Sequence, residues 1–134
     1  MPTSRPRIPV SQWTDPRHVR GLLGERTAAR WLRARGWEVL DHRFRVGRHD
    51  LDLVARRGHL VAFVEVKTRS GAEFGSPVEA IGWRKRLVLA NLADVWRARH
   101  GRSGEEYRFD VAAVTWRPGR PAVVEMLEDA WRLG

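Results

Sequence analysis

The stretch that decides the fold covers residues 50–68 and reads DLDLVARRGHLVAFVEVKT. Its second half, HLVAFVEVKT, carries an apolar run that is typical of a strand buried on both faces. The Arg57-Gly58 dipeptide at its centre is a turn signal. We therefore predict two strands, residues 50–56 and 59–68, joined by a tight turn into an antiparallel hairpin.

A helix and a strand are predicted before this hairpin. Asp15 is suited to cap a helix, with Pro16 in its first turn, and Gly36 ends the helical pattern. Residues 37–46 then have the composition of a strand.

A second helix and two more strands are predicted after the hairpin. Ser76, Pro77 and Glu79 have the spacing of a capping box with proline at the first helical position, so we expect a helix over residues 77–99. The later strands are predicted at residues 107–116 and 122–126. The order of helix, three strands, helix and two strands predicts an α/β layer fold.

The charge balance of the chain indicates a polyanionic partner. Twenty-five Lys and Arg against 16 Asp and Glu give a net charge of +9, and such an excess on a small domain favours nucleic acid. All of these basic residues are arginine except Lys67 and Lys85. Since a chain with this bias would fill purely electrostatic positions with arginine, the two lysines are candidate functional residues.

Length and composition predict one folded domain preceded by a tail. Residues 1–14 mix Pro, Ser and Arg without a period, so we expect a flexible basic, proline-rich tail and a single domain over residues 15–134. The absence of cysteine excludes disulfides and thiolate chemistry. Because the chain has no long apolar run and no apolar segment in MPTSRPRIPV, we expect a cytoplasmic protein without a signal peptide or a membrane partner.

Charged side chains fall at positions of the hairpin where a charge is costly. Since side chains alternate along a strand, Asp50 and Asp52 share a face, and Glu65 and Lys67 share a face of the next strand. Pairing of the two strands would place these four groups side by side. Because burial of an unpaired charge is strongly unfavourable, we expect a cation between the carboxylates.

Two further charges lie on the apolar stripes of the predicted helices. Glu25 follows Leu22 by three residues and precedes Ala29 by four. Lys85 interrupts the stripe of the second helix in the same way, so we expect both groups to point toward the sheet. For Lys85, a side chain that extends from the helix surface into solvent is an equal alternative.

Together these groups suit a hard cation. Mg²⁺, or Mn²⁺ in its place, prefers carboxylate and water oxygens, can ligate a phosphate and lowers the pKa of a bound water. A lysine beside it can orient that water or stabilise negative charge on phosphorus. The set predicts metal-assisted phosphodiester hydrolysis, although each motif alone also fits a solvated aspartate or a surface ion pair. We interpret His49 as a bystander and not as a ligand.

Arginines flank the carboxylates and would follow a phosphate backbone. Those that we expect to contact nucleic acid are Arg48, Arg69, Arg84 and Arg86. No base-reading motif is visible, so we expect recognition of shape or backbone. For any single arginine, a solvated surface position is as good an explanation.

Three segments resemble a known family. They are GERTAARWLRARGW, then VGRHDLDLVARRGHLVAFVEVKTRSGAEFGSPVEAIGWRKRLVLANLA, and later RFDVAAV. In the order and spacing of these motifs, over about residues 21–131, the chain resembles the YraN family of small bacterial proteins. That family is similar to the restriction-endonuclease-like PD-(D/E)xK nucleases, which include archaeal Holliday-junction resolvases. The resemblance implies a restriction-endonuclease-like core, a mixed β-sheet flanked by helices in the order α-β-β-β-α-β-β.

The resemblance also implies roles for single residues. Asp52 is the metal-binding aspartate, Glu65 the second acidic ligand and Lys67 the motif lysine. Glu25 matches the helical glutamate of resolvase-like members, and Lys85 matches the polar residue on the helix that follows the catalytic strand.

One position departs from the family pattern. Where relatives typically read Gly-Glu-Ile-Asp-Leu, this chain has Asp50 in place of the glutamate, with a side chain shorter by one methylene. A direct contact of this residue would be weakened, whereas the motif Asp52, Glu65 and Lys67 is intact.

The sequence predicts a Mg²⁺-dependent nuclease that acts on DNA, including branched or structured DNA. Asp52 and Glu65 would hold the metal and Lys67 would act on the water or the phosphate, with Glu25 and Asp50 in support. The alternatives are a non-catalytic nucleic-acid-binding protein with a vestigial site and a module whose basic surface meets an acidic protein. Resolvase-like enzymes often act as symmetric dimers, so a homodimer is a further expectation.

Overall fold

The computed structural model describes residues 16–70 and 76–132 of the chain. In chain order the elements are α1 (Pro16–Ala34), β1 (Glu38–Val46), β2 (His49–Arg57), β3 (Leu60–Ser70), α2 (Trp83–His100), β4 (Glu106–Arg117) and β5 (Arg120–Trp131). The predicted tail and the predicted cap at Asp15 lie outside the described residues.

The five strands form one mixed sheet in the order β1-β2-β3-β4-β5. Only β3 and β4 are parallel among these neighbours, and α2 supplies the crossover that a parallel pair requires. The predicted hairpin is confirmed: Arg57 pairs with Leu60, and Gly58 between them has a φ of 63°, a conformation that favours glycine. The predicted element order and the mixed sheet flanked by helices are also confirmed.

The two helices cover opposite faces of the sheet. Under α1 lies a core cluster that includes Ala28, Leu32, Leu53, Ala62 and Val64. Under α2 lies a second cluster that includes Val61, Phe63, Leu89, Leu92 and Trp96. Successive residues of β3 therefore contribute to alternate clusters, as its apolar run predicts. Within the two described ranges, no helix is long and apolar enough to cross a membrane.

The start of α2 differs from the prediction, because the helix begins only at Trp83. Ser76 Oγ accepts a hydrogen bond from the Val78 N–H at 3.2 Å, so the capping signal forms a turn. This turn places Ile81 in the core, with 1% of its surface exposed. The extended backbone of Gly82, with ψ of 162°, then separates the turn from the helix.

The last strand is longer than predicted, because β5 continues past a bulge opposite Asp110. At the bulge Asp129 adopts a φ of 48°, and its N–H donates to Asp110 Oδ1 at 2.9 Å. Beyond it the strand resumes, and Trp131 stacks on Phe109 with ring centroids 3.9 Å apart. The acidic residues that make this region look like a loop therefore stabilise an irregular strand.

A glycine on α1 sets how closely this helix approaches the sheet. A Cβ atom added at Gly24 would clash with Oγ1 of Thr68 on β3. The next residue along the helix is Glu25, which is buried beneath it. The close approach at Gly24 therefore positions Glu25 against the sheet.

We expect Gly24→Ala to lower the free energy of unfolding by about 1–3 kcal/mol, because the added methyl overpacks the contact with Thr68. Urea titration followed by circular dichroism measures the change. Gly21→Ala is the matched control, since a Cβ there meets no atom within 4 Å; it should stabilise the protein by about 0.5–1 kcal/mol through helix propensity. Equal effects of the two substitutions would contradict this account of the helix contact, whereas recovery in Gly24→Ala with Thr68→Ala would support it.

Candidate active site

The candidate site lies where β2 and β3 separate. Their paired register runs from Arg57 and Leu60 to Leu53 and Val64. Beyond that point Asp52 Oδ2 accepts a hydrogen bond from the Val66 N–H at 2.8 Å. A side chain thus replaces the backbone partner at the position where the ladder ends.

The strand also changes its orientation at Asp52. Leu51 packs in the cluster under α2, whereas Leu53 packs in the cluster under α1. Because residues two apart in a regular strand share a face, β2 must twist between them. The inference that Asp50 and Asp52 share a face assumed a regular strand, which the structure does not have here.

A carboxyl pair occupies this gap. Glu65 has 7% of its surface exposed, and its Oε2 atom is buried without a hydrogen-bond partner among the described residues. Burial raises the pKa of Asp52 well above its usual value, and so do a hydrogen bond with the Glu65 carboxyl and the charges of Glu65 and Glu25. The Val66 N–H opposes this effect. The gap is therefore a site with excess negative charge.

Glu25 from α1 joins the same negatively charged region. Its side chain is buried, and it accepts hydrogen bonds from His42 Nε2 at 2.7 Å and from Arg43 at 2.8 and 2.9 Å. Burial alone would raise the pKa of Glu25, but the bonds from these two residues and their charge lower it below its usual value. The predicted inward orientation of Glu25 is confirmed.

Arg43 links Glu25 to the aspartates of β2. Its guanidinium forms two hydrogen bonds with Glu25, and the charges of Asp50 and Asp52 further raise its pKa. The backbone of Arg43 has a φ of 57°, which is unusual for a non-glycine residue and marks a functionally interesting position. His42 and Arg43 are the site residues that sequence periodicity missed, because this left-handed conformation interrupts the strand alternation.

Lys67 lies two residues after Glu65 on β3, and it is partly buried. Strand alternation places both on the face that carries Phe63 and that α2 covers. Asp50 is also partly buried and pairs across the sheet with Arg45 of β1. Of the residues singled out in the sequence, the structure thus gathers Glu25, Asp52 and Glu65 around the gap, with Asp50 near Arg43.

Lys85 does not point into the core, and that expectation is wrong. The buried residues of α2 are Leu89, Leu92, Ala93 and Trp96. Lys85 is on the same side of the helix as these buried residues. It lies in the first turn, however, before the part of the helix that packs on the sheet. Its side chain is therefore exposed.

The predicted nucleic-acid contacts differ in their surroundings. Arg48 and Arg84 are exposed, as is His49. Arg69 is partly buried on β3. Arg86 donates to the carbonyl oxygens of Ile81 at 2.9 Å and Val78 at 3.2 Å, so it stabilises the turn before α2.

The carboxyl pair fits a metal that needs few protein ligands. No group of three or more His, Cys, Asp or Glu side chains within residues 16–70 and 76–132 has the arrangement of a metal site. Mg²⁺, however, keeps several waters and is commonly held by one or two carboxylates together with substrate phosphates. The unpartnered Glu65 Oε2 beside Asp52 supplies such a pair of hard oxygen donors.

Comparisons with known proteins agree on one family. The model of the "Uncharacterised protein family UPF0102" matches residues 24–114. A UPF0102 protein of Beutenbergia cavernae is 47% identical over 107 residues, which cover 80% of this chain and 91% of the relative. For a UPF0102 protein of Moorella thermoacetica the identity is 40% over 120 residues, covering 88% of this chain and 99% of the relative. UPF0102 is another designation of the YraN family, so the resemblance seen in the sequence is confirmed. The chain belongs to the UPF0102 family.

Proposed function

We propose that this protein is a divalent-metal-dependent nuclease that hydrolyses phosphodiester bonds in DNA, including branched or structured DNA. The observation that carries the proposal is the carboxyl pair of Asp52 and Glu65 at the gap between β2 and β3, with Glu65 Oε2 unpartnered among the described residues. The element order and the mixed sheet support a restriction-endonuclease-like core.

The energetic cost of this arrangement supports a functional origin. Two carboxyl groups side by side in a partly closed gap disfavour each other's ionisation, and burial adds to the penalty. Clusters with such perturbed pKa values occur preferentially at functional sites. A purely structural role would be served better by an apolar pair.

Asp52 and Glu65 are the residues that would hold Mg²⁺ or Mn²⁺. Such an ion supplies Lewis acidity toward a phosphate oxygen and lowers the pKa of a bound water. The Val66 N–H fixes the orientation of the Asp52 carboxylate through its 2.8 Å hydrogen bond. Beyond Leu53 and Val64, β2 pairs only with β1 and β3 only with β4, so the two strands are not paired with each other at the carboxyl pair.

Lys67 would orient the attacking water or stabilise the negative charge that develops on phosphorus. Its ammonium is a compact charge on a flexible stem, and it is one of only two lysines in a chain rich in arginine. Glu25 and Asp50 would support the site through Arg43, whose charge counters part of the local negative charge. Exposed Arg48 and Arg84 would contact the DNA backbone.

A second candidate function is a nucleic-acid-binding protein without catalysis. The net charge of +9 fits this function as well as it fits a nuclease. Within the described part of the chain, no third His, Cys, Asp or Glu side chain joins the carboxyl pair to form a metal site. This alternative predicts salt-sensitive binding without turnover.

Calorimetric titration with Mg²⁺ and Mn²⁺, with and without a short branched DNA, tests the proposal. We expect the wild type to bind metal and the double variant Asp52→Asn with Glu65→Gln to lose this binding, because both anionic donors are removed. The control is Asp94→Asn with Glu125→Gln, which removes the same two charges at exposed positions of α2 and β5. Metal binding that persists in the site variant, or that is absent from the wild type even with DNA, would overturn the metal-dependent mechanism.

A further inference from the structure

An exposed apolar ridge runs along the first turns of α2. Trp83 has 66% of its surface exposed and Leu87 has 44%. The two side chains are four residues apart, so they are neighbours on one face of the helix. That face is turned away from Leu89 and Ala93, which pack on the sheet. An exposed tryptophan beside a second large apolar side chain is uncommon on a protein surface.

Positive charge surrounds this ridge. Residues 83–86 read WRKR, and residues 80–93 contain no Asp or Glu. The Arg84 guanidinium lies 5.3 Å from the centre of the Trp83 ring, and Lys85 is exposed. Arg86 donates to main-chain carbonyls, so its hydrogen bonds are already used within the protein. The ridge therefore offers an exposed aromatic ring with the Arg84 guanidinium against it and the exposed Lys85 nearby.

The ridge belongs to the helix that covers the face of the sheet on which Glu65 and Lys67 lie. The chain leaves β3 at Ser70, shortly after Lys67, and α2 then packs back over β2 and β1. The helix ends near the start of β4, where Glu106 pairs with Leu60 at the start of β3. In its first turn the Arg86 guanidinium lies 5.8 Å from the centre of the Trp131 ring on β5, and at its last residue the His100 ring lies 6.2 Å from the Phe44 ring on β1, so α2 crosses this face of the sheet.

We propose that Trp83 stacks on an unpaired base of DNA bound at the candidate active site, while Arg84 and Lys85 contact the flanking phosphates. This inference rests on the proposed function and names its substrate class: DNA with unpaired bases, such as single strands or the open arms of branched DNA. A nucleotide presents an apolar base face beside an anionic phosphate, which matches an aromatic ring between cations.

Charge decides against the other occupants of such a surface. A second copy of the chain would bring the same three basic side chains, Arg84, Lys85 and Arg86, and the two ridges would repel each other. A predominantly apolar protein surface would leave these cations without anionic partners. Paired duplex DNA satisfies the cations but hides its base faces within the stack, so only unpaired DNA uses both parts of the surface.

Fluorescence anisotropy with a labelled single-stranded oligonucleotide and a blunt duplex of the same length tests the inference. The titrations are done in EDTA, so that binding is measured without cleavage. We expect Trp83→Ala to weaken binding of the single strand about tenfold and of the duplex less than about twofold. Trp83→Phe should retain most of the affinity, because the ring still stacks. Val123→Ala, which trims another exposed apolar side chain, on β5, is the control and should change neither affinity.

The outcomes separate this inference from the proposed nuclease activity. A selective loss of single-strand binding supports the role of Trp83 even if no cleavage is detected with any metal. Equal losses for both DNA forms, no loss for either, or no binding of single strands by the wild type would overturn it, whatever the cleavage assay gives. A change from dimer to monomer in Trp83→Ala during sedimentation, with unchanged DNA binding, would also overturn it and assign the ridge to contacts between copies.

Discussion

Lys67→Ala should reduce Mg²⁺-dependent cleavage of DNA at least about 100-fold, while the free energy of unfolding changes by less than about 0.5 kcal/mol. The catalytic loss follows from the removal of the cation that acts on the water or the phosphate. The small effect on stability follows from the partly exposed position of the residue on β3. Single-turnover cleavage of a labelled branched DNA and urea titration measure the two quantities.

Two further variants show whether the effect depends on this particular ammonium. Lys67→Arg retains the charge but presents a planar guanidinium, so we expect it to recover only a small part of the activity. Arg102→Ala removes one exposed positive charge from the loop between α2 and β4, and it should cleave like the wild type. If Lys67→Ala cleaves as fast as the wild type, the proposed mechanism is wrong.

The elements that carry strong local signals could be predicted from sequence. Three local patterns each predict one element, and the structure contains all of these elements: the apolar strand β3, the turn at Gly58 and the helix α1. Glu25 is buried as predicted because Ala28, Ala29 and Leu32 of the same stripe pack on the sheet. The same rule misplaced Lys85, since helical phase gives the direction of a side chain but not the point where the sheet ends.

Other features depend on tertiary contacts that a local pattern does not contain. The capping signal at Ser76 is real, as its hydrogen bond to Val78 shows, but burial of Ile81 and the extended Gly82 delay the helix. The twist of β2 at Asp52 and the left-handed Arg43 both violate strand alternation. These violations lie at the carboxyl pair, where a functional site would require side chains that a regular sheet cannot position.

The effect of the carboxyl pair on the stability of the metal-free protein distinguishes the catalytic hypothesis from a structural one. A site that selection maintains for metal binding destabilises the metal-free protein, because its charges repel each other. A site that is maintained as a structural element stabilises the metal-free protein. Removal of one charge from the pair therefore changes stability in opposite directions under the two hypotheses.

Glu65→Gln should abolish metal-dependent cleavage and, in EDTA near neutral pH, raise the free energy of unfolding by about 1 kcal/mol. The pKa of Asp52 is raised in the folded protein, so the folded state binds a proton more tightly than the unfolded state. The wild type should therefore gain stability when the pH is lowered from about 8 to about 6, because this change favours the protonated Asp52. The variant should gain less, because Glu65 no longer contributes to raising the pKa of Asp52. Urea titrations at both pH values measure this difference.

Glu105→Gln is the control with the opposite expected sign. Glu105 accepts hydrogen bonds from Arg56 Nε at 2.7 Å, from the Arg102 N–H at 2.7 Å and from the Tyr107 hydroxyl at 3.0 Å. Loss of its charge removes the ionic partner that Glu105 gives the buried Arg56, so this variant should be less stable than the wild type at both pH values. If Glu65→Gln destabilises the protein in the same way, the pair at the gap is a structural element, and the non-catalytic nucleic-acid-binding function becomes the better explanation of the fold.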